Sequence, residues 1–249
     1  MTAPFPTRKQ EDWRYADLEA LRPVWDDLAD VATLVVAPGQ TLEEVWLPGE
    51  AAVQVRRVRL SLGQGARARL FALNTAAHYG RLELEVSLAA DASFELFAAN
   101  IGSAASTNEV VTNIRHLGTS GRSRQTVRSV LGGTATGSYL GKVEVARGAQ
   151  QTDGEQSVKA MLLDRGATAN CKPELEIYAD DVKCAHGASV GELDAQQLFY
   201  AMARGLDPAL ARALLLEGFV MGLWDSIADD GQRDTIATVA RDALRRAAQ

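Results

Sequence analysis

The sequence predicts a mainly β protein, with an all-β core set between a short helical N-terminal cap and a C-terminal helical domain. Three observations predict it. Residues 53–190 carry short runs that alternate apolar and polar with period two, and no helical stretch of ordinary length separates them; from Asp194 onward apolar residues recur at every third and fourth position. The expected boundaries are a cap over residues 1–50, a β core over 51–191 and helices over 192–249.

In the cap, the run Glu11-Asp-Trp-Arg-Tyr-Ala-Asp-Leu-Glu-Ala-Leu21 places Trp13, Tyr15, Leu18 and Leu21 at spacings that suit short helical turns, and Pro23 interrupts them. The strands follow: Val53-Gln-Val-Arg-Arg-Val-Arg-Leu60, Ala68-Arg-Leu-Phe71, Arg81-Leu-Glu-Leu-Glu-Val86, Ser93-Phe-Glu-Leu-Phe97, residues 123–130, residues 139–145 and Leu175-Glu-Ile-Tyr178. A doubly wound sheet is disfavoured, because its parallel strands need helical crossovers. Asn-Gly and Asp-Gly hairpin signals are scarce between the runs, while glycines and asparagines recur after them. That pattern favours stacked rungs of a solenoid over tight hairpins, and on pattern alone a sandwich stays open.

In the last quarter, Asp194 is placed to cap a helix over residues 195–203 that Gly205 ends, and Asp207-Pro208 supplies a cap and a first-turn proline for the next. Leu210, Leu214, Leu215, Phe219, Val220 and Leu223 form the expected apolar face of that second helix. A third, over about residues 230–247, is expected to bury Ile236, Val239 and Leu244, with Arg245 and Arg246 suiting its C-terminal dipole.

The composition narrows function. Of 249 residues, 47% are hydrophobic and 23% charged, which is ordinary globular material. The formal charge of -6 argues against a nucleic-acid partner, and the arginines at 56, 57, 59, 67 and 69 fall on strand positions that read as solvated sheet faces. No apolar run has the length of a signal peptide or a membrane span, so a soluble cytoplasmic protein without a membrane partner is expected. The two cysteines, Cys171 and Cys184, are too few for a disulfide framework or for the four thiolates an iron-sulfur cluster usually takes.

Enzyme signatures are missing. Gly63-Gln-Gly65-Ala-Arg-Ala68 loosely fits a dinucleotide fingerprint, but residues 67–73 alternate like a strand where a phosphate-binding helix should begin. Gly141-Lys142 lacks the rest of a nucleotide loop, and there is no Gly-x-Ser-x-Gly, His-Glu-x-x-His or Cys-x-x-Cys.

One constellation stands out: Asp180-Asp-Val-Lys-Cys184-Ala-His186-Gly-Ala-Ser-Val-Gly191. In an extended chain Cys184 and His186 point to the same face, where a thiolate and an imidazole can reach one soft or borderline metal. Taken alone, such a pair is more often structural. Cys171, His78 and His116 take the structural reading as well. For a polysaccharide-cleaving β-helix, the candidate carboxylates are Asp180, Asp181, Glu174 and Glu176; a stand-alone metal-binding protein is a third reading.

Context raises the pair. Residues 172–194, followed by Gln197-Leu-Phe-Tyr200, Ala203-Arg-Gly205 and Glu217-Gly-Phe219, closely resemble the C-terminal signature of the SufB/SufD family, on its SufD side. Residues 11–18 resemble the family's N-terminal segment, and residues 108–125 and 152–164 its core rungs. The resemblance implies a right-handed parallel β-helix with helical termini, in a non-catalytic scaffold for iron-sulfur cluster assembly. It implies pairing with a SufB homologue through the β-helices and docking of the ATPase SufC on the C-terminal helices. It implies no tightly bound cofactor, but a transient cluster at the SufB interface, with His186 the first site residue and Cys184 a second. An isolated preparation is expected to cover its open edge as a homodimer. Most of Leu198, Phe199, Tyr200, Leu214, Leu215 and Phe219 are expected to pack within the chain, the remainder meeting SufC, with Arg204 a rim charge.

Overall fold

A computed structural model describes residues 4–28 and 31–249. Residues 1–3, 29 and 30, all within the expected cap, lie outside that description.

Among the described residues twelve strands form two parallel sheets of six, and successive strands alternate between them. One sheet holds β1 (Ala32–Val36), β3 (Val53–Leu62), β5 (Tyr79–Leu88), β7 (Thr107–His116), β9 (Thr136–Val145) and β11 (Thr168–Ile177); the other holds β2 (Thr41–Trp46), β4 (Arg67–Asn74), β6 (Ser93–Gly102), β8 (Arg122–Leu131), β10 (Thr152–Leu162) and β12 (Val182–Glu192). Each pair of strands makes one coil, and the coils stack into a β-helix. The solenoid prevails over the sandwich.

The corners explain the missing hairpin signals. Gly39, Gly65, Asp91, Ser120 and Gln151 all take positive φ at the turn that switches sheets. Their N–H groups donate upward to the next coil: Gly39 to the Gln64 carbonyl at 2.9 Å, Gly65 to Ala90 at 2.9 Å, Asp91 to Thr119 at 2.8 Å and Ser120 to Gln150 at 2.8 Å. The corner therefore stacks instead of closing a hairpin, and only some of its positions are glycine.

Inside, alternate residues of both sheets build one apolar column set, including Leu60, Leu70, Leu84, Phe94, Leu96, Val110, Ile114, Val127 and Val143. Each such side chain contributes roughly 1.5–3 kcal/mol when fully buried. Outside, the two faces are covered by the termini. Over the first sheet lies the N-terminal segment, with short helical turns at Glu11–Trp13 and Leu18–Leu21 that bury Trp13, Leu21 and Trp25 near Tyr79. Over the second lie α3 (Pro208–Val220) and α4 (Asp230–Ala247), whose Leu216, Val220, Ile236, Ala240 and Leu244 pack on Phe71, Leu73, Ile101 and Val130. No described helix is long and apolar enough to cross a membrane.

Three expectations change. The first coil, β1 and β2, falls within the stretch expected as cap, because these strands are short and mostly half-exposed, so their alternation is faint. In α3 the buried face is Ala211, Leu216 and Val220, whereas Leu210 and Leu214 are about half exposed; that helix is apolar nearly all round, so periodicity could not choose the face. The arginines are not merely solvated: Arg57 pairs with Glu83 at 3.1 Å and Arg59 with Glu85 at 2.9 Å, Arg69 bonds Glu43, and Arg56 lies 5.0 Å from the Trp46 ring centre. These four are spent on a neighbouring rung or the cap, whereas Arg67 is exposed.

Candidate functional site: the open end of the β-helix

The predicted pair lies on β12, the last strand of its sheet. In-register pairing sets Gly154 beside Cys184, Gln156 beside His186 and Val158 beside Ala188. Val158 and Gln156 are buried and point into the lumen. Residues paired in register on parallel strands share a face, so Cys184, His186 and Ala188 line the lumen's mouth.

Burial changes abruptly at this rung. Gln156 and Val158 are each 1% exposed, whereas His186 and Ala188 beside them are exposed, and Val190 is 49% exposed. No described strand stacks beyond β12 or β11. The edge also exposes apolar side chains at the end of β11: Ile177, in register with lumen-facing Val145, and the following Tyr178. Solenoid ends with free main-chain groups and exposed apolar residues are what a further rung would cover.

Cys184 is half-buried, its Sγ packed over Gly154, and Cys171 faces the same lumen from β11 beside Tyr139. Both are free thiols. Burial pushes the Cys184 thiol up, a hydrogen bond with the Gly154 backbone pulling the other way; burial also raises Cys171. A metal must displace those protons to bind sulfur. Among the described residues no three His, Cys, Asp or Glu side chains gather into a set that would hold a metal ion. Cys184 and His186 together offer one sulfur and one nitrogen, a donor set that fits half of a soft or borderline metal site.

Deeper in the lumen lies a polar stretch that motif reading missed. The Thr112 hydroxyl donates to Gln125 Oε1 at 2.6 Å and the Tyr139 hydroxyl to the same oxygen at 3.1 Å; burial raises the Tyr139 phenol. The signal was present as glutamines on inward-phase strand positions, next to Val127 and Val158. His116 is wholly buried, with Nε2 2.9 Å from Ser123 Oγ, which agrees with a structural role; His78 instead lies at the surface, 3.5 Å from Asp17.

The helical residues divide differently from expectation. Phe199 is 72% and Tyr200 61% exposed on α2 (Ala195–Ala203), a helix with no buried residue; Met202 of the same helix and Leu214 of α3 are exposed as well. Phe219 is half-buried against the α3–α4 core, Leu198 and Leu215 are half-buried, and the Arg204 guanidinium sits 5.1 Å from the Tyr200 ring centre. Glu174 and Glu176 are held by Lys172 at 3.2 Å and Lys142 at 2.6 Å, which ties up carboxylates that a glycan-cleaving site would need.

Fold and site together define a β-helix scaffold whose uncovered last rung presents a thiol and an imidazole. The chain belongs to the SufB/SufD family: the family model described as "SUF system FeS cluster assembly, SufBD core domain" matches residues 28–219. Its relatives include the iron-sulfur cluster assembly protein SufD of Escherichia coli (strain K12), 35% identical over 114 residues, 46% of this chain and 27% of that protein. An iron-sulfur cluster assembly SufBD family protein of Synechocystis is 32% identical over 169 residues, covering 68% of this chain and 37% of the relative. The chloroplastic protein ABCI7 of Arabidopsis thaliana is 49% identical over 81 residues, 32% of this chain and 17% of the relative. The matched stretches thus span well under half of these relatives. The relatives named SufD, from Escherichia coli and from Bacillus subtilis (28% identical over 139 residues, 56% of this chain and 32% of that protein), place the chain on the SufD side of the family.

Proposed function

We propose that this chain is a non-catalytic scaffold subunit of a SufBCD complex working in the cytoplasm. Its open β-helix end meets a SufB homologue, and α2 with the adjoining part of α3 docks the ATPase SufC. The observation that carries this reading is the exposure of His186 on a lumen-facing position of a rung beyond which no described strand stacks.

A cluster bound there is cargo, not a resident cofactor. Two donors from this chain cannot complete its coordination, so the SufB homologue supplies the others, and neither chain holds the cluster alone. Neutral imidazole is a ligand that protonation removes, which suits a cluster that must later leave. The exposed Phe199, Tyr200 and Met202 of α2 and Leu214 of α3, with Arg204 over the Tyr200 ring, have the composition of a protein-docking surface. Isolated chains are proposed to cover the open edge by pairing with one another.

Cluster loading on a reconstituted complex of this chain, the SufB homologue and the ATPase tests the reading. His186→Ala is expected to lower bound iron and sulfide at unchanged complex yield. Unchanged loading at equal yield would remove His186 from the site.

A further inference from the structure

We infer that Gln156 is the positioning residue for His186: its side-chain amide accepts the ring N–H when the other ring nitrogen binds metal. The inference rests on the reading of His186 as a ligand and adds a residue to that site.

Register brings the two together. Gln156 on β10 is the in-register neighbour of His186 on β12, on the same lumen-facing side. Parallel strands lie about 4.8 Å apart, within reach of a glutamine amide and an imidazole. Behind Gln156 the same column continues through Gln125 to Leu96, so it turns from apolar to polar as it approaches the open end.

Hydrogen bonding singles out Gln156 within that column. It is 1% exposed, yet neither Oε1 nor Nε2 has a partner among the described residues. Gln125 is different: Thr112 and Tyr139 occupy its Oε1, and only Nε2 is open. A buried amide with both ends unpaired is costly and rare, and here it is the in-register neighbour of the imidazole at the mouth of the lumen. The chemistry of ligation accounts for it. A ring nitrogen that binds metal carries no proton, so the other must carry one, and a hydrogen-bond acceptor on that N–H fixes both tautomer and ring orientation. The Gln156 carbonyl is an acceptor at that place, and the amide can rotate to present it.

Co(II) titration of this chain tests this, since a thiolate charge-transfer band reports sulfur ligation and ligand-field bands report coordination. Wild type, His186→Ala, Gln156→Leu and Gln156→Glu are compared, with circular dichroism melts to verify folding and Gln156→Met replacing the leucine variant should that one not fold. Gln156→Leu is expected to weaken Co(II) binding 10–100-fold, about the effect of losing an outer-shell partner, while Gln156→Glu, which keeps an acceptor, binds as tightly as wild type or more so. A packing role gives the reverse order, because leucine suits an apolar lumen and a buried carboxylate does not. If His186→Ala weakens binding but Gln156→Leu equals wild type, or both Gln156 variants lose equally, the positioning role is overturned and the ligand reading stands. If His186→Ala binds as tightly as wild type, the ligand reading falls and this inference with it.

Discussion

Arg81 and Glu109, both sealed from solvent on the outer face of the first sheet, meet at 3.2 Å across neighbouring rungs. The Tyr79 hydroxyl donates to the same Glu109 oxygen at 2.6 Å, and the Trp13 ring centre lies 3.7 Å from the Arg81 guanidinium. The N-terminal segment thus closes over a charged pair. Arg81→Met leaves the Glu109 carboxylate buried without its cation, and a loss of about 3–5 kcal/mol in urea unfolding is expected. Replacing both, Arg81→Met with Glu109→Leu, is expected to recover much of that loss, which a double-mutant cycle measures.

Burial holds the His116 ring down to about 4. An unfolded histidine takes up its proton near pH 6.5, so between about pH 6.5 and 4 the unfolded chain binds a proton that the folded chain does not. The contribution is fully present above pH 6.5 and is lost as pH falls toward 4, by roughly 3 kcal/mol at most. His116→Gln is expected to flatten this part of the stability-against-pH curve relative to wild type. Parallel curves would show that the ring titrates freely.

Gly132 marks where α4 docks on the solenoid. A Cβ at that position would stand 1.8 Å from the Ala247 carbonyl oxygen. Gly132→Ala is expected to cost about 1–3 kcal/mol and to speed proteolysis in α4, since backbone cannot yield as a side chain does. Gly148→Ala, where a Cβ meets nothing within 4 Å, is the control and should melt as wild type does.

Phe199→Asp and Tyr200→Ala remove side chains that are 72% and 61% exposed. Each is expected to change stability by less than about 0.5 kcal/mol and yet to reduce co-purification of the ATPase by tenfold or more. Full retention of the ATPase by the double variant would move docking away from α2.

Much of this was legible in the sequence, for identifiable reasons. The strands of the middle coils announce themselves because one face is buried, as in Leu82, Leu84 and Val86 of β5. The caps at Asp194 and Asp207 are local chemistry, and both side chains accept from the backbone N–H groups of the following turn. Positions set by long-range partners were not legible. Which face of α3 is buried depends on Phe71 and Ile101 more than 100 residues away, and the parallel corner could be read only as an absence of hairpin signals. Within the site, Cys184 and His186 were marked by their spacing, whereas Gln156 becomes significant only once register sets it beside His186.

Amide hydrogen exchange of the chain, alone and with its SufB homologue, tests most directly whether the open end is where two proteins meet. Slowed exchange on complex formation is expected in β12 and β11, the strands with an uncovered edge, with β1 and β2 at the opposite end unchanged. Protection that appears elsewhere while β12 exchanges as it does in the free chain would contradict a shared pocket at His186.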